Sequence, residues 1–176
     1  MEDVLENILK KMNEINYGFN LNNKNIYPNN DEEWSNDFSK QYFLQSPNEL
    51  KNSRLGVCWD QVELERYYFE KENIKCESYF IVEYDGLEYP THTFMIVELN
   101  KKYYWFEHSW EPYRGIKKFD SLDEALLHIK DKFIKMLVKR NISTEELVIY
   151  KYSKPKYGIS SEEFFKHCES GEKIII

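Results

Sequence analysis

A thiol, an imidazole and a carboxylate follow one another along this chain in an order that suits nucleophilic catalysis. Cys58 comes directly after Gly56-Val57, where a helical pattern begins. A thiol is a poor nucleophile until it loses its proton. The unpaired N–H groups and positive dipole end of a helix N-terminus favour the thiolate. The Cys58 N–H is also placed to bind an oxyanion there. His92 stands 34 residues later, just after Pro90 and between Thr91 and Thr93, at the opening of a strand. A thiolate needs a base or ion-pair partner that the fold, not the sequence, brings close. Glu107, a further 15 residues on, supplies a carboxylate to orient the imidazole from its other nitrogen.

The geometry of that last pair depends on a hairpin. If Asn100-Lys101 is a two-residue loop, Leu99 pairs with Lys102 and Phe94 faces Glu107. Side chains alternate faces along a strand, so His92 and Glu107 then share a face as diagonal neighbours. Such neighbours lie ~7–8 Å apart at the backbone, within reach of a long carboxylate. A loop longer by one residue would present His108 instead, and the register decides between them. Glu107 is favoured because an acid orients an imidazolium. The other cysteines lack such a setting: Cys76 sits at a strand entry between Lys75 and Glu77, and Cys168 near the end of a short helix, where the dipole disfavours thiolate.

The elements that must position these groups follow from periodicity. Residues 2–16 carry Val4, Leu5, Ile8, Leu9, Met12 and Ile15 at helical spacing, with Gly18 as a stop. Residues 20–33, rich in Asn and containing Pro28, read as a loop. Pro47 after Ser46 opens a short helix. From Cys58 to about Glu72 no Gly or Pro interrupts a helix with an apolar face of Val62, Leu64, Tyr67, Tyr68 and Phe69. Tyr79–Val82 is a strand, with a turn at Asp85-Gly86. Thr91–Leu99 and Tyr103–Trp110 form an antiparallel hairpin. Ser121 and Glu124 stand in capping-box spacing before a long helix that runs to about Arg140. Residues 111–116 read as a connection to it. Leu147–Tyr152 is a strand, Ser161–Cys168 a short helix, and the tail a final strand. Neither a repeat nor a domain boundary is visible, so residues 1–176 form one α+β domain around an antiparallel sheet.

Three short runs carry a family resemblance. Leu55-Gly56-Val57-Cys58-Trp59-Asp60 resembles the cysteine block of the transglutaminase-like superfamily of papain-fold proteins. Pro90-Thr91-His92-Thr93-Phe94 is similar to its histidine strand, and Tyr104-Trp105-Phe106-Glu107 to its third block, an aromatic strand ending in an acid. Ser46-Pro47-Asn48-Glu49-Leu50 resembles a segment found ahead of the cysteine block in bacterial members. The resemblance covers about residues 41–120. It implies a papain-like fold, with the Cys-bearing helix packed on an antiparallel sheet that carries the His and the acid. It also implies a Cys58–His92–Glu107 triad working through a thioester on a peptide or carboxamide, with water or an amine as acceptor. The family usually has Asp followed by Pro where this chain has Glu107. Papain-like members often add an upstream Gln to the oxyanion site; Gln41 and Gln45 lie in a suitable region. The calcium-regulated members are much larger, and no D-x-D-x-D-G loop is present here, so neither calcium nor any other cofactor is expected.

Composition narrows the remaining classes. The chain has 176 residues and a net charge of −7, from 24 Lys and Arg against 31 Asp and Glu. Nucleic-acid binding needs a basic stripe. The densest cationic stretch, Lys130 to Arg140, interleaves with apolar residues as a helix face does. No apolar run reaches the ~18 residues of a membrane span, and the acidic start lacks the features of a secretory signal. Three widely spaced cysteines without C-x-x-C fit free thiols in the cytoplasm. Two rivals to catalysis are a zinc site from Cys58, His92, Glu107 and His108, and a non-catalytic peptide- or sugar-binding module using the aromatic run Tyr103, Tyr104, Trp105 and Trp110.

Overall fold

The computed structural model describes residues 2–21, 24–28, 38, 40–85 and 89–176. Six antiparallel strands form its central sheet, in the order β10-β9-β5-β6-β7-β8. These are β5 (Lys75–Glu83), β6 (Thr91–Leu99), β7 (Lys102–Glu107), β8 (Gly115–Phe119), β9 (Leu147–Tyr152) and β10 (Glu172–Ile174). Three short strands precede them, β1 (Asn16–Tyr17), β2 (Phe19–Leu21) and β3 (Lys24–Ile26), followed by β4 (Leu55–Gly56). The helices are α1 (Glu2–Met12), α2 (Pro47–Ser53), α3 (Cys58–Lys71), α4 (Leu122–Lys139) and α5 (Ser161–Glu169), with one 3₁₀ turn at Glu111–Tyr113.

Alternation along the strands gives the sheet two apolar faces. Phe80, Val82, Met95, Val97, Tyr104 and Phe106 pack under α1, α3 and α5. Tyr79, Ile81, Phe94, Ile96, Trp105 and Ile149 pack under α4, which contributes Ala125, Leu126, Ile129, Phe133 and Leu137. The expected mixed α+β class with a large antiparallel sheet is therefore present. No helix among the described residues is long and apolar enough to cross a membrane.

α3 is buried nearly all round, including the charged residues Asp60, Glu63, Glu65 and Arg66. Two partners keep that from being prohibitive. Arg66 pairs with Glu63, Nε to Oε2 at 2.9 Å, and also hydrogen-bonds the Ser78 hydroxyl on β5. Tyr152 on β9 donates to Glu63 Oε1 at 3.4 Å. The helix is thus tied to two strands through polar groups, whose net contribution is specificity of placement more than stability.

Several boundaries differ from the sequence reading. α1 ends at Met12, and Asn16-Tyr17 leaves it to pair in parallel with Leu55-Gly56. Part of the expected 20–33 loop is a small hairpin, Phe19–Leu21 against Lys24–Ile26; residues 22–23 and 29–33 lie outside the described residues. So does Gly86 of the expected Asp85-Gly86 turn. The third hairpin strand stops at Glu107, not Trp110, and the expected 111–116 connection ends in the edge strand β8, which takes its residues 115–116 and runs on to Phe119. β8 exposes Lys117 and Lys118, which breaks its alternation but suits an edge strand. At α4, Ser121 accepts from the Glu124 N–H as expected, while the Glu124 carboxylate reaches back to the Asp120 N–H.

Candidate active site

The helix that presents Cys58 begins without a capping side chain at Val57. Asp60, in its first turn, takes over that task. One carboxylate oxygen accepts from the Val57 N–H at 2.9 Å; the other accepts from the Gln45 N–H at 2.9 Å and the Tyr42 hydroxyl at 2.7 Å. Asp60 thereby clamps the incoming chain to the first turn. Burial pushes its carboxyl up to about 7 despite those donors. Gly56 is required beside it: a Cβ there would lie 2.6 Å from the Leu50 side chain and 2.9 Å from the Asp60 Cβ. Cys58 is left as the first residue of the helix, where its N–H has no intrahelical acceptor.

The β6–β7 hairpin turns at Asn100-Lys101, both left-handed with φ of 55° and 60°, as a two-residue type I′ loop requires. Leu99 pairs with Lys102, and the ladder runs to Met95–Phe106. Continued by one step, it sets Phe94 opposite Glu107 and makes His92 and Glu107 diagonal neighbours. The contact is made: His92 Nε2 lies 2.8 Å from Glu107 Oε2. Glu107 Oε1 accepts from the Trp110 N–H at 2.8 Å and the Ser109 hydroxyl at 3.0 Å, so both oxygens are held. The Trp110 ring stands edge-on to the imidazole at 5.0 Å.

The register also settles where His108 points. Its Nδ1–H donates to Gln61 Oε1 on α3 at 2.6 Å. Burial, then the nearby Arg114 charge, lower it to about 4, so this imidazole is neutral and turned away from Glu107's partner. Gln61 in turn donates to the Gly56 carbonyl at 2.8 Å. With His108 so engaged, the four-ligand zinc set is not assembled. Among the described residues no group of three or more His, Cys, Asp or Glu is disposed to hold a metal ion.

Cys58, His92 and Glu107 are 5%, 7% and 2% exposed, and their ionisation is mutual. Burial raises the Cys58 thiol, but hydrogen bonding to His92 and the imidazolium charge outweigh it and leave the thiol below its ordinary value. Burial works against the imidazolium too. The Glu107 charge and hydrogen bonds to Cys58 and Glu107 overcome that and push His92 up to about 10. Glu107, raised by burial, is held below the usual range chiefly by the His92 charge. With Nε2 committed to Glu107, Nδ1 is the ring nitrogen left to serve the sulfur. Glu65, buried on α3, is pushed well up by burial and then by the Glu107 charge. Burial drives Cys76 up to about 11 and Cys168 higher still.

Sequence reasoning missed two contributors. The Tyr17 hydroxyl donates to Cys58 Sγ at 3.9 Å; burial, then Cys58, keep its phenol protonated. Nothing local marks Tyr17, because β1 reaches the site through a two-residue parallel pair with a strand 39 residues away. The second is Asp60, whose carboxylate three residues after Val57 is a capping signal in its own right. The two glutamines weighed for the oxyanion site do other things. Gln45 donates to the Leu55 carbonyl at 2.9 Å and accepts from the Ser53 hydroxyl at 2.7 Å. Gln41 is exposed.

A cavity of about 660 Å³ opens beside Cys58, lined by Tyr17, Val57 and Trp59 and by Ser161 and Phe165 of α5. Searches against protein-family models and against curated proteins find no match to this chain.

Proposed function

We propose that this protein performs cysteine-dependent amide-bond chemistry, as a peptidase, amidase or transamidase, on a papain-like scaffold of transglutaminase type. The observation that carries the reading is the buried His92–Glu107 contact of 2.8 Å beside a thiol at a helix N-terminus. In this mechanism the Cys58 thiolate attacks the amide carbonyl carbon and an S–C bond forms. The Cys58 N–H and the Tyr17 hydroxyl receive the oxyanion. As the C–N bond breaks, the nitrogen leaves with its electron pair and takes the proton that His92 carries. Water then adds to the thioester and gives a proton back to His92; the C–S bond breaks, releasing the acid and the thiolate. An amine in place of water gives transamidation.

All three cysteines are free, which fits a compartment where thiols stay reduced; the cytoplasm is the location this reading favours. The substrate is a peptide or protein amide. A net charge of −7 argues against nucleic acid as a partner.

Acylation of the purified protein by a p-nitrophenyl ester tests the proposal. The thiolate forms the S–C bond, and p-nitrophenolate leaves with the electrons of the broken C–O bond. Wild type should show a burst of one acyl group on Cys58 by peptide mass spectrometry, and Cys58→Ala none. Tyr17→Phe should slow acylation about 100-fold, the order found for losing one oxyanion donor, while alkylation, which develops no oxyanion and loses only the hydrogen bond to the sulfur, changes far less. An unchanged burst in Cys58→Ala sinks the catalytic reading and leaves a binding module.

A further inference from the structure

Resting on that reading, we infer that the cavity beside Cys58 is the acyl subsite and selects an aromatic or bulky apolar group next to the scissile carbonyl. The side of the bond follows from the walls. A leaving amine must meet His92 to collect a proton, yet His92, Glu107 and Trp110 do not line the cavity. Its walls instead include Tyr17, Cys58, Trp59, Tyr89 and Phe165, and it stops at Thr91, one residue short of His92. The portion of substrate that stays on sulfur is therefore the portion this space receives.

The chemistry of the occupant follows from the same walls. Trp59 is held by Phe164 at 4.6 Å between ring centroids and by Phe38 at 5.2 Å, edge-on. Phe165 is braced against Phe80 at 5.2 Å. These are fixed apolar surfaces, the usual lining of a small-molecule subsite. Of the three ionic groups at the rim, two pair with each other. Lys166 pairs with Glu162 at 2.6 Å, and Glu169 accepts from the Tyr84 hydroxyl at 2.6 Å. The Tyr84 phenol is neutral, so Glu169 keeps its negative charge and disfavours an anionic head there. Apolar area is what discriminates, and a pocket of this kind separates substrates by about 10–200-fold for small apolar differences. The specificity wall comes from α5, outside the stretch that resembles a known family.

The test compares the p-nitrophenyl esters of N-acetylphenylalanine and N-acetylglycine, each rate divided by that ester's rate with free N-acetylcysteine. The phenylalanyl ester should acylate Cys58 at least 10-fold faster after this correction. In Phe165→Ser the ratio of the two esters should fall to about threefold or less. Tyr89→Ala, at a half-exposed position on the cavity wall, gives the same readout should Phe165→Ser fold poorly. Equal corrected rates in wild type, with Cys58 still alkylated by iodoacetamide at pH 6, overturn the subsite and leave the proposed chemistry standing. A Cys58 that is neither alkylated at pH 6 nor acylated by either ester overturns both.

Discussion

Replacing His92 with alanine should slow alkylation of Cys58 by iodoacetamide at pH 6 by about 300-fold or more. The figure follows from ionisation alone, since a thiol with an ordinary pKa near 8.5 is only roughly 0.3% thiolate at pH 6. In the intact protein the imidazolium and its hydrogen bond hold the Cys58 thiol below that value against its burial. Without them burial acts unopposed and pushes the thiol up. Glu107→Gln should produce a smaller loss, because a carboxamide oxygen still accepts from Nε2 but brings no charge. The order of rates should be wild type, then Glu107→Gln, then His92→Ala, measured by mass spectrometry of the Cys58 peptide. Three equal rates would mean that the pair does not set the thiol's ionisation.

Asp60→Ala should be the most destabilising single change near the site, at about 3 kcal/mol or more. It strips the acceptor from the Val57 N–H, the Gln45 N–H and the Tyr42 hydroxyl, and an orphaned buried donor costs ~1–3 kcal/mol. For a chain of this size that lowers the melting temperature by roughly 6–12 °C. The first turn of α3 should loosen with it, so Cys58 alkylation at pH 6 falls although His92 is intact. Asp60 also has a pH signature. Burial raises its carboxyl to about 7 in the folded protein, whereas an unfolded Asp loses its proton near pH ~3.9. Between those values the folded state holds the extra proton, so stability declines as pH rises from ~4 to ~7 and levels off above. In Asp60→Asn that decline should disappear from chemical denaturation curves. A melting temperature within about 2 °C of wild type in Asp60→Ala, less than 1 kcal/mol on the same scale, would show that the clamp is dispensable.

The parts of this site that could be read from the sequence are those set by local rules. Asn100-Lys101 fixes a two-residue loop, the loop fixes Leu99 against Lys102, and alternation then carries Glu107, not His108, to His92. Cys58 at a helix start follows from Gly56 and an uninterrupted helical run. What could not be read depends on distant pairing or on context. Tyr17 arrives through a parallel contact between two-residue strands. β8 sets one apolar residue and one lysine on each sheet face, Ile116 with Lys118 and Phe119 with Lys117, so neither face shows an apolar run. Gln45 looks like an oxyanion donor until its amide is seen tied to Leu55 and Ser53. The α5 wall of the cavity is distant in sequence from Cys58, and only the sheet brings Phe165 across.

The most direct measurement is the rate of iodoacetamide alkylation of wild-type protein from pH 5 to 10, read separately for Cys58, Cys76 and Cys168. A thiolate–imidazolium pair predicts that Cys58 reacts at pH 6, well below the pH at which a free thiol does, while Cys76 and Cys168, both raised by burial, stay silent there. A Cys58 rate that climbs only around pH ~8.5, as an isolated thiol's does, would contradict the account.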